Sequence, residues 1–427
     1  MRNLETTGQL AIFLGLSLAE KSRPILKVRV HSAEICPGDL FVATRGEKVD
    51  GHNFLESAAK NGALSALVSI EYLGPDYGLT LLRVPDVVEG LQKIAAALIR
   101  ARAPYIIGVT GSVGKTTTKE FIYTLLSGKF VTDKSPGSLN SQIGLPLAII
   151  GMNPRAQVIV LEMSMSGPGH LKKLVEMAPP DFAVLTRIGH SHFEFFKSQE
   201  ELASAKSEIF TSKNLKNSLV HASNLRFNAV PKEGECYSLE EGGAFSELKI
   251  PFDARHLREN FIAAARVASH LGVCFQEICD RAHLLCLEKN RFERVECRGI
   301  QVVNDSYNAA PDSTLAALAA LPVPKNGGKR LFVFGSMKEL GAFSEQAHQM
   351  VASAALPLID ELHCIGAECA VAKDFFHKNG RMATLYGSYE ELAESVKKRV
   401  VSGDTLLIKG SNSHRLWRLV DALQTPL

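Results

Sequence analysis

A strand that runs into a glycine-rich turn and then a helix constrains this chain more than any other stretch. It reads YIIGVTGSVGKTTTKEF, residues 105–121. The apolar YIIGVT predicts a buried strand, and GKTTTKEFIYTLLSG predicts a helix opening near Lys115. Two further apolar runs, AQVIVLEM and PDFAVLTRIG, also lead into helical sequence. That alternation predicts an α/β region built on a parallel sheet. The turn closes like a phosphate-binding loop, yet its leading glycine is displaced. Four residues should separate that glycine from the Gly-Lys-Thr close. Here five lie between Gly108 and Gly114, two between Gly111 and Gly114, and Val109 holds the expected position.

The close can still cradle an anion. Backbone N–H groups from Gly111 through Ser112, Val113, Gly114 and Lys115 to Thr116 are expected to face it, aided by the helix N-terminus. The Lys115 ammonium would lie over the β and γ phosphates, and the Thr116 hydroxyl is placed to ligate magnesium. A plain glycine turn with a solvated Lys115 is the competing reading, and it leaves the match to GSVGKTTT unexplained.

With 427 residues the chain has room for about three domains. Its texture divides it at 1–97, 98–289 and 290–427. The last part offers candidate strands GIQVVND, KRLFVFGS, ELHCIGA, MATLYG and DTLLIKGS with helices between, so all three parts read as α/β. Residues 211–256 read as loops and short strands. A net charge of +3 gives no electrostatic footprint for nucleic acid or an anionic membrane. No uncharged apolar run reaches the length of a membrane span, and the N-terminus lacks the basic start and long apolar stretch of a signal peptide. Eight cysteines without paired short spacings point to reduced thiols in the cytoplasm. Cys279, His283 and Cys286 share one face of a predicted helix, as zinc ligands or as packing; without a fourth ligand, packing is the expectation.

The shortened loop TGSVGKTT resembles that of the Mur ligases, the ATP-dependent amide-forming enzymes of peptidoglycan precursor synthesis. SPGSLNSQIGLPLAI, VLEMSMSGPGHLKKL, IGHSHFEFFKSQEELASAKSEIF, NDSYNAAPDSTLAAL, GSMKELG and LLIKGSNS follow in the family's order between residues 135 and 413. Upstream, CPGDLFVATRGEKVDGHNFLESAAKNGA (36–63) resembles the family's uridine-nucleotide domain. The resemblance implies an N-terminal UDP-binding domain, a central P-loop ATPase domain and a C-terminal Rossmann-like domain. It implies addition of D-alanyl-D-alanine to UDP-N-acetylmuramoyl-tripeptide by a monomer, with ATP and Mg2+. The carboxylate would first be phosphorylated, and the amine would then displace phosphate from the acyl phosphate, chemistry that rests on positioning and charge neutralisation.

Residue roles follow from the same resemblance. Lys115, Asn140, His192 and Lys206 form the catalytic set, with Lys206 carbamylated in relatives. Thr116, Glu162, His192 and modified Lys206 would hold magnesium; Glu162 also ends a buried strand, at the carboxyl edge where α/β sheets bind ligands. ATP would be met by the loop through Thr117 and by Asn260, Arg291, Asp305, Tyr307 and Asn308. Ser32, Arg45, Gly46, Asp50 and His52 would lie at the UDP site, and Lys409 and Ser411 at the dipeptide. His190 reads as structural or exposed. Nucleotide contacts divided between the second and third parts imply domain closure on binding.

Two departures stand out. The family's upstream Asp-Ser-Arg is His31-Ser32-Ala33 here, and Ser336 replaces a usual Asp, which leaves it without an assigned role. A sibling ligase adding diaminopimelate or lysine as the third residue would share the loop, but the diaminopimelate-type Asp-Asn-Pro-Arg signature is absent. A nucleotide-binding relative without ligase activity is the other alternative; its expected losses, at Lys115 or Glu162, have not occurred.

Overall fold

The computed structural model describes residues 5–17, 22–46, 49–191 and 193–424. His192 lies outside them. The chain divides into two compact units. The first comprises Met1–Thr110, Leu126–Val184 and Lys206–Ser218; the second comprises Gly111–Leu125, Leu185–Ala205 and Leu219–Leu427. Strands fall into three sheets, drawn from residues 28–84, 105–237 and 293–409.

The first unit opens with a four-stranded parallel sheet, Val28–Arg29, Leu40–Val42, Ser65–Ser69 and Thr80–Val84 in that order. Alternation along the strands sends Leu40, Val42, Leu67 and Leu82 to one face, against Leu91, Ile94 and Leu98. Phe41, Ala66 and Val68 take the other face with Leu55 and Ala58. Leu91, Ile94 and Leu98 belong to helix Val87–Arg102, whose N-terminus is capped by the Asp86 carboxylate on the Glu89 N–H at 2.8 Å. That helix runs through position 97/98, where texture suggested a boundary, because its apolar stripe continues to Leu98.

The same unit holds strands Phe182–Leu185, Tyr105–Thr110, Val158–Glu162 and Thr132–Lys134 as neighbours in that order. Val158–Glu162 pairs in parallel on both sides and is buried throughout, which is why it reads as an unbroken apolar run. It carries Glu162 to its carboxyl end.

In the second unit, Asn217–His221 pairs with Glu235–Tyr237, and helix Arg255–His270 buries Phe261, Ile262 and Ala264. Its large sheet runs Glu293–Cys297, Ile300–Asn304, Thr405–Lys409, Arg330–Gly335, Glu361–Ile365, Met382–Tyr386. Five of these are the strands read from the sequence. The sixth, Glu293–Cys297, is an antiparallel edge strand. It joins the next through a two-residue turn with positive φ at Arg298 (54°) and Gly299 (80°), the backbone a tight hairpin requires. The expected face of Cys279, His283 and Cys286 does not form on one helix, because helix Phe275–Ala282 stops before His283. Ile278 and Ala282 are buried there, whereas Cys279 is half-buried and Cys286 exposed, so packing does not account for all three.

Candidate nucleotide site

The loop's two close glycines are both structurally required, and both sit in the second unit. Gly111 has φ +150°, and a Cβ on it would stand 1.9 Å from Thr186 Oγ1. Gly114 has φ +86°, and its Cβ would stand 2.6 Å from Asn260 Oδ1. The position expected to hold glycine, Val109, is instead a fully buried strand residue. The tight approach has therefore moved to Gly111. Helix Lys115–Leu126 opens directly after the loop. Lys115 folds back over it, with Nζ 2.8 Å from the Gly111 carbonyl and 3.2 Å from that of Ser112.

One expectation about the cradle changes. The Ser112 N–H donates to the Arg187 carbonyl at 2.8 Å, and the Val113 N–H approaches the same oxygen at 3.4 Å. These two donors seat the loop on residues 186–189 instead of facing an anion. The Thr186 hydroxyl completes the seat by donating to the Val113 carbonyl at 2.7 Å.

Beside the loop, a cavity of about 100 Å³ brings together several residues singled out from the sequence. Val113, Gly114, Thr117, Asn260, Arg291 and Asp305 all line it. Arg291 lies over the Tyr307 ring at 4.0 Å, a cation–π contact. Asn308 caps its own turn, its side-chain oxygen accepting from the Ala309 N–H. Arg187, His221, Tyr237, His256 and Glu259 line the cavity too. None of these was singled out. The available signal was charge in apolar company: Arg187 in LTRIG and Glu259 beside Asn260 in HLREN.

Glu259 is buried, and although burial opposes its charge, His221 and Arg187 hold its pKa at about 2. Burial pushes His256 down to about 4, and it does the same to His363 in the large sheet. Both imidazoles have folded pKa values below the ordinary 6.5, so unfolding favours their protonation. Their contribution is complete above pH 6.5 and is lost as pH falls from there towards 4. Carboxylates such as Glu259 act only below the ordinary 4.5. These two histidines should therefore lower the thermal midpoint by about 3 °C or more as pH falls from 6.5 over the next unit or two. His414, also pushed down by burial, adds to that slope, whereas His348, pushed up against its own burial by Cys369 and the Ser344 backbone, opposes it. A variant carrying His256→Leu and His363→Leu should show a smaller slope than the unmodified protein.

His190 proves structural. Its backbone N–H donates to Asp312 Oδ2 at 2.7 Å, its Nδ1 lies 3.2 Å from the same oxygen, and its ring stacks on Phe343.

Lys409 and Asp305, given to different substrates by resemblance, form one ion pair. Lys409 is 1% exposed; its Nζ lies 2.5 Å from Asp305 Oδ2 and 3.1 Å from the Asn308 carbonyl. Asp305 Oδ1 accepts from the Phe292 N–H at 3.0 Å. Ser411 Oγ accepts from the Lys338 N–H at 3.0 Å. Ser336, which has no assigned role, is fully buried, and its hydroxyl meets His414 Nε2 at 2.8 Å.

In the first unit, Glu162 is 1% exposed and its Oε1 accepts from the Asn140 side chain at 2.6 Å. A buried carboxylate oriented in this way has the hard oxygen donors that magnesium takes. Lys206, which the sequence alone would place at the surface, is fully buried. At the expected UDP site, Asp50 joins Arg45 (Oδ2–Nε 3.0 Å) and His52 (Oδ1–Nδ1 2.6 Å). His52 Nε2 accepts the Ser69 N–H at 3.0 Å, which leaves its proton on Nδ1, facing Asp50. Partial burial opposes the Asp50 charge, but bonds from His52 and Arg45 hold its pKa at about 2. Gly46 closes a turn through its N–H to the Val49 carbonyl, and Ser32 begins a short 3-10 turn whose carbonyl accepts from Asn61.

Three family descriptions match along the chain: "Mur ligase family, catalytic domain" at residues 24–98, "Mur ligase middle domain" at 109–235 and "Mur ligase, glutamate ligase domain" at 290–412. The UDP-N-acetylmuramoyl-tripeptide–D-alanyl-D-alanine ligase of Bacillus subtilis is 30% identical over 415 residues, 91% of each protein. The chain belongs to the Mur ligase family. The Escherichia coli ligase of the same name is 28% identical to this Mur ligase and covers 98% of both chains. Among solved structures, the MurF ligase from Thermotoga maritima in complex with ADP superposes with a TM-score of 0.77 at 29% identity, covering 93% of this chain and 97% of the other. MurF from Acinetobacter baumannii, at 23% identity and complete coverage of both chains, shares the fold with a TM-score of 0.83. Among the described residues, no helix is long and apolar enough to cross a membrane.

Proposed function

We infer that this Mur ligase joins D-alanyl-D-alanine to UDP-N-acetylmuramoyl-tripeptide, converting ATP to ADP and phosphate and yielding the pentapeptide precursor of peptidoglycan. The observation that carries the reading is the extent of the likeness: at 30% identity it takes in nine-tenths of this chain and of the Bacillus ligase. The site geometry is consistent with it, since a lysine-tipped loop built around two obligatory glycines opens beside a cavity lined by Asn260, Arg291 and Asp305.

In this reading Lys115 neutralises charge on the transferred phosphoryl group, and the tripeptide carboxylate becomes an acyl phosphate that the dipeptide amine attacks. Thr116 from the loop and Glu162 from its strand end supply oxygen ligands for magnesium, with His192 as a further ligand. A bound magnesium ion neutralises phosphate charge. Asn140 orients the Glu162 carboxylate. Lys206 is proposed to be carbamylated, because a fully buried ammonium is costly and the carbamate turns it into an anionic oxygen ligand. Labelled bicarbonate should give a carbamate carbon resonance that disappears in Lys206→Ala; identical spectra for both proteins would remove the assignment. The enzyme is proposed to act as a cytoplasmic monomer.

The test of the reaction mixes ATP, magnesium and UDP-N-acetylmuramoyl-tripeptide with and without D-alanyl-D-alanine. Phosphate should appear stoichiometrically with pentapeptide, and only when the dipeptide is present. Turnover with diaminopimelate or lysine on the dipeptide precursor would assign the sibling activity instead.

A further inference from the structure

A buried carboxylate with no assigned role stands behind the loop. Glu259, 3% exposed on helix Arg255–His270, is gripped by the Arg187 fork, with Nε 3.1 Å from Oε2 and Nη2 2.9 Å from Oε1. Arg255 Nε adds a bond to Oε1 at 3.1 Å. His221 faces the other oxygen: its Nδ1 accepts the Ser223 N–H at 3.1 Å, so its proton sits on Nε2, 3.5 Å from Oε2.

Arg187 is also the residue on which the loop is seated, since its carbonyl receives the Ser112 and Val113 N–H groups. Asn224 clamps the backbone on both sides, donating to the Thr186 carbonyl at 2.8 Å and accepting from the Ile188 N–H at 2.9 Å. The side chain of Arg187 is 42% exposed, so without its carboxylate partner it would be free to swing. Because Glu259 is buried while Arg187 is half exposed, the cost of desolvating the carboxylate offsets much of the attraction, and the pair contributes little net stability. What it fixes is geometry. Its neighbour Asn260 meets the loop directly at Gly114, so one helical turn reaches the loop by two routes.

We propose that Glu259 is a positioning residue for nucleotide binding: by holding Arg187 it fixes the carbonyl that aligns the Ser112–Val113 stretch of the phosphate loop. The inference rests on reading that loop as the ATP site. It is tested with Glu259→Gln, Arg187→Met and the double variant, measuring affinity for a non-hydrolysable ATP analogue with magnesium and the KM values of both ATP and UDP-tripeptide. Each single change should weaken nucleotide affinity and raise the KM for ATP about tenfold while leaving the KM for UDP-tripeptide unchanged. The double variant should be no worse than the weaker single, because both act through one contact. Wild-type affinity in a folded Glu259→Gln protein, or additive losses in the double variant, would overturn it. If Glu259→Gln does not fold, Arg187→Met at its partly exposed position decides alone, and wild-type affinity there overturns the proposal. Failure of the unmodified enzyme to bind the analogue would instead remove the loop assignment and this inference with it.

Discussion

Replacing Lys115 by alanine should lower ligation turnover by about a thousandfold or more while leaving the fold intact. The ammonium lies within 3.2 Å of two loop carbonyls, Gly111 and Ser112. With nucleotide bound, the same charge is available to the transferred phosphoryl group, where negative charge must be stabilised. Preorganised charge of this kind supplies much of the acceleration in phosphoryl transfer, because the reaction leaves the protein little covalent work to do. Arginine should not substitute well, since its planar fork is larger and cannot place a compact charge at the same point. Phosphate release with both peptides present measures the effect, and thermal melting checks the fold. Retention of more than about a tenth of wild-type turnover in Lys115→Ala would move the reaction away from this loop.

The loop was legible because strand, glycines, lysine and helix are contiguous, and each reports its own backbone demand. The same holds for five strands of the large sheet; three of them, Thr405–Lys409, Arg330–Gly335 and Glu361–Ile365, have parallel neighbours on both sides, which accounts for their apolar runs. The edge strand Glu293–Cys297 escaped because FERVEC alternates charge with apolar residues and its turn is only Arg298-Gly299, a weaker hairpin signal than Asn-Gly. The assignment of Arg187 and Glu259 escaped for another reason. Seventy-two positions separate them, and only the folded chain puts guanidinium against carboxylate. Ser336 is a third kind of case. Its replacement of a usual aspartate left it without a role in the sequence, and the fold buries it and supplies His414, seventy-eight positions away, as its partner. Local backbone requirements are written in the sequence at the place where they act, whereas long-range charge pairing is not.

Gly111→Ala should destabilise the second unit by about 2–3 kcal/mol and abolish measurable nucleotide binding. Two costs combine. At φ +150° an L-residue is strained whatever the space around it. The added methyl would also lie 1.9 Å from Thr186 Oγ1 and 3.0 Å from Thr186 Cβ. Thr186 cannot rotate away cheaply, because its hydroxyl donates to the Val113 carbonyl and its backbone carbonyl is held by Asn224. The loop must therefore lift off its seat, taking the Ser112 N–H from the Arg187 carbonyl and Lys115 from its place above the loop. Gly151 is the control: it ends helix Gly144–Gly151 with no positive φ and no atom within 4 Å of an added Cβ, so Gly151→Ala should be neutral or slightly stabilising. Thermal melting and titration with an ATP analogue separate the two outcomes. Equal behaviour of the two variants would mean that the loop tolerates a side chain at Gly111, and the close approach to Thr186 would lose its role in shaping the cradle.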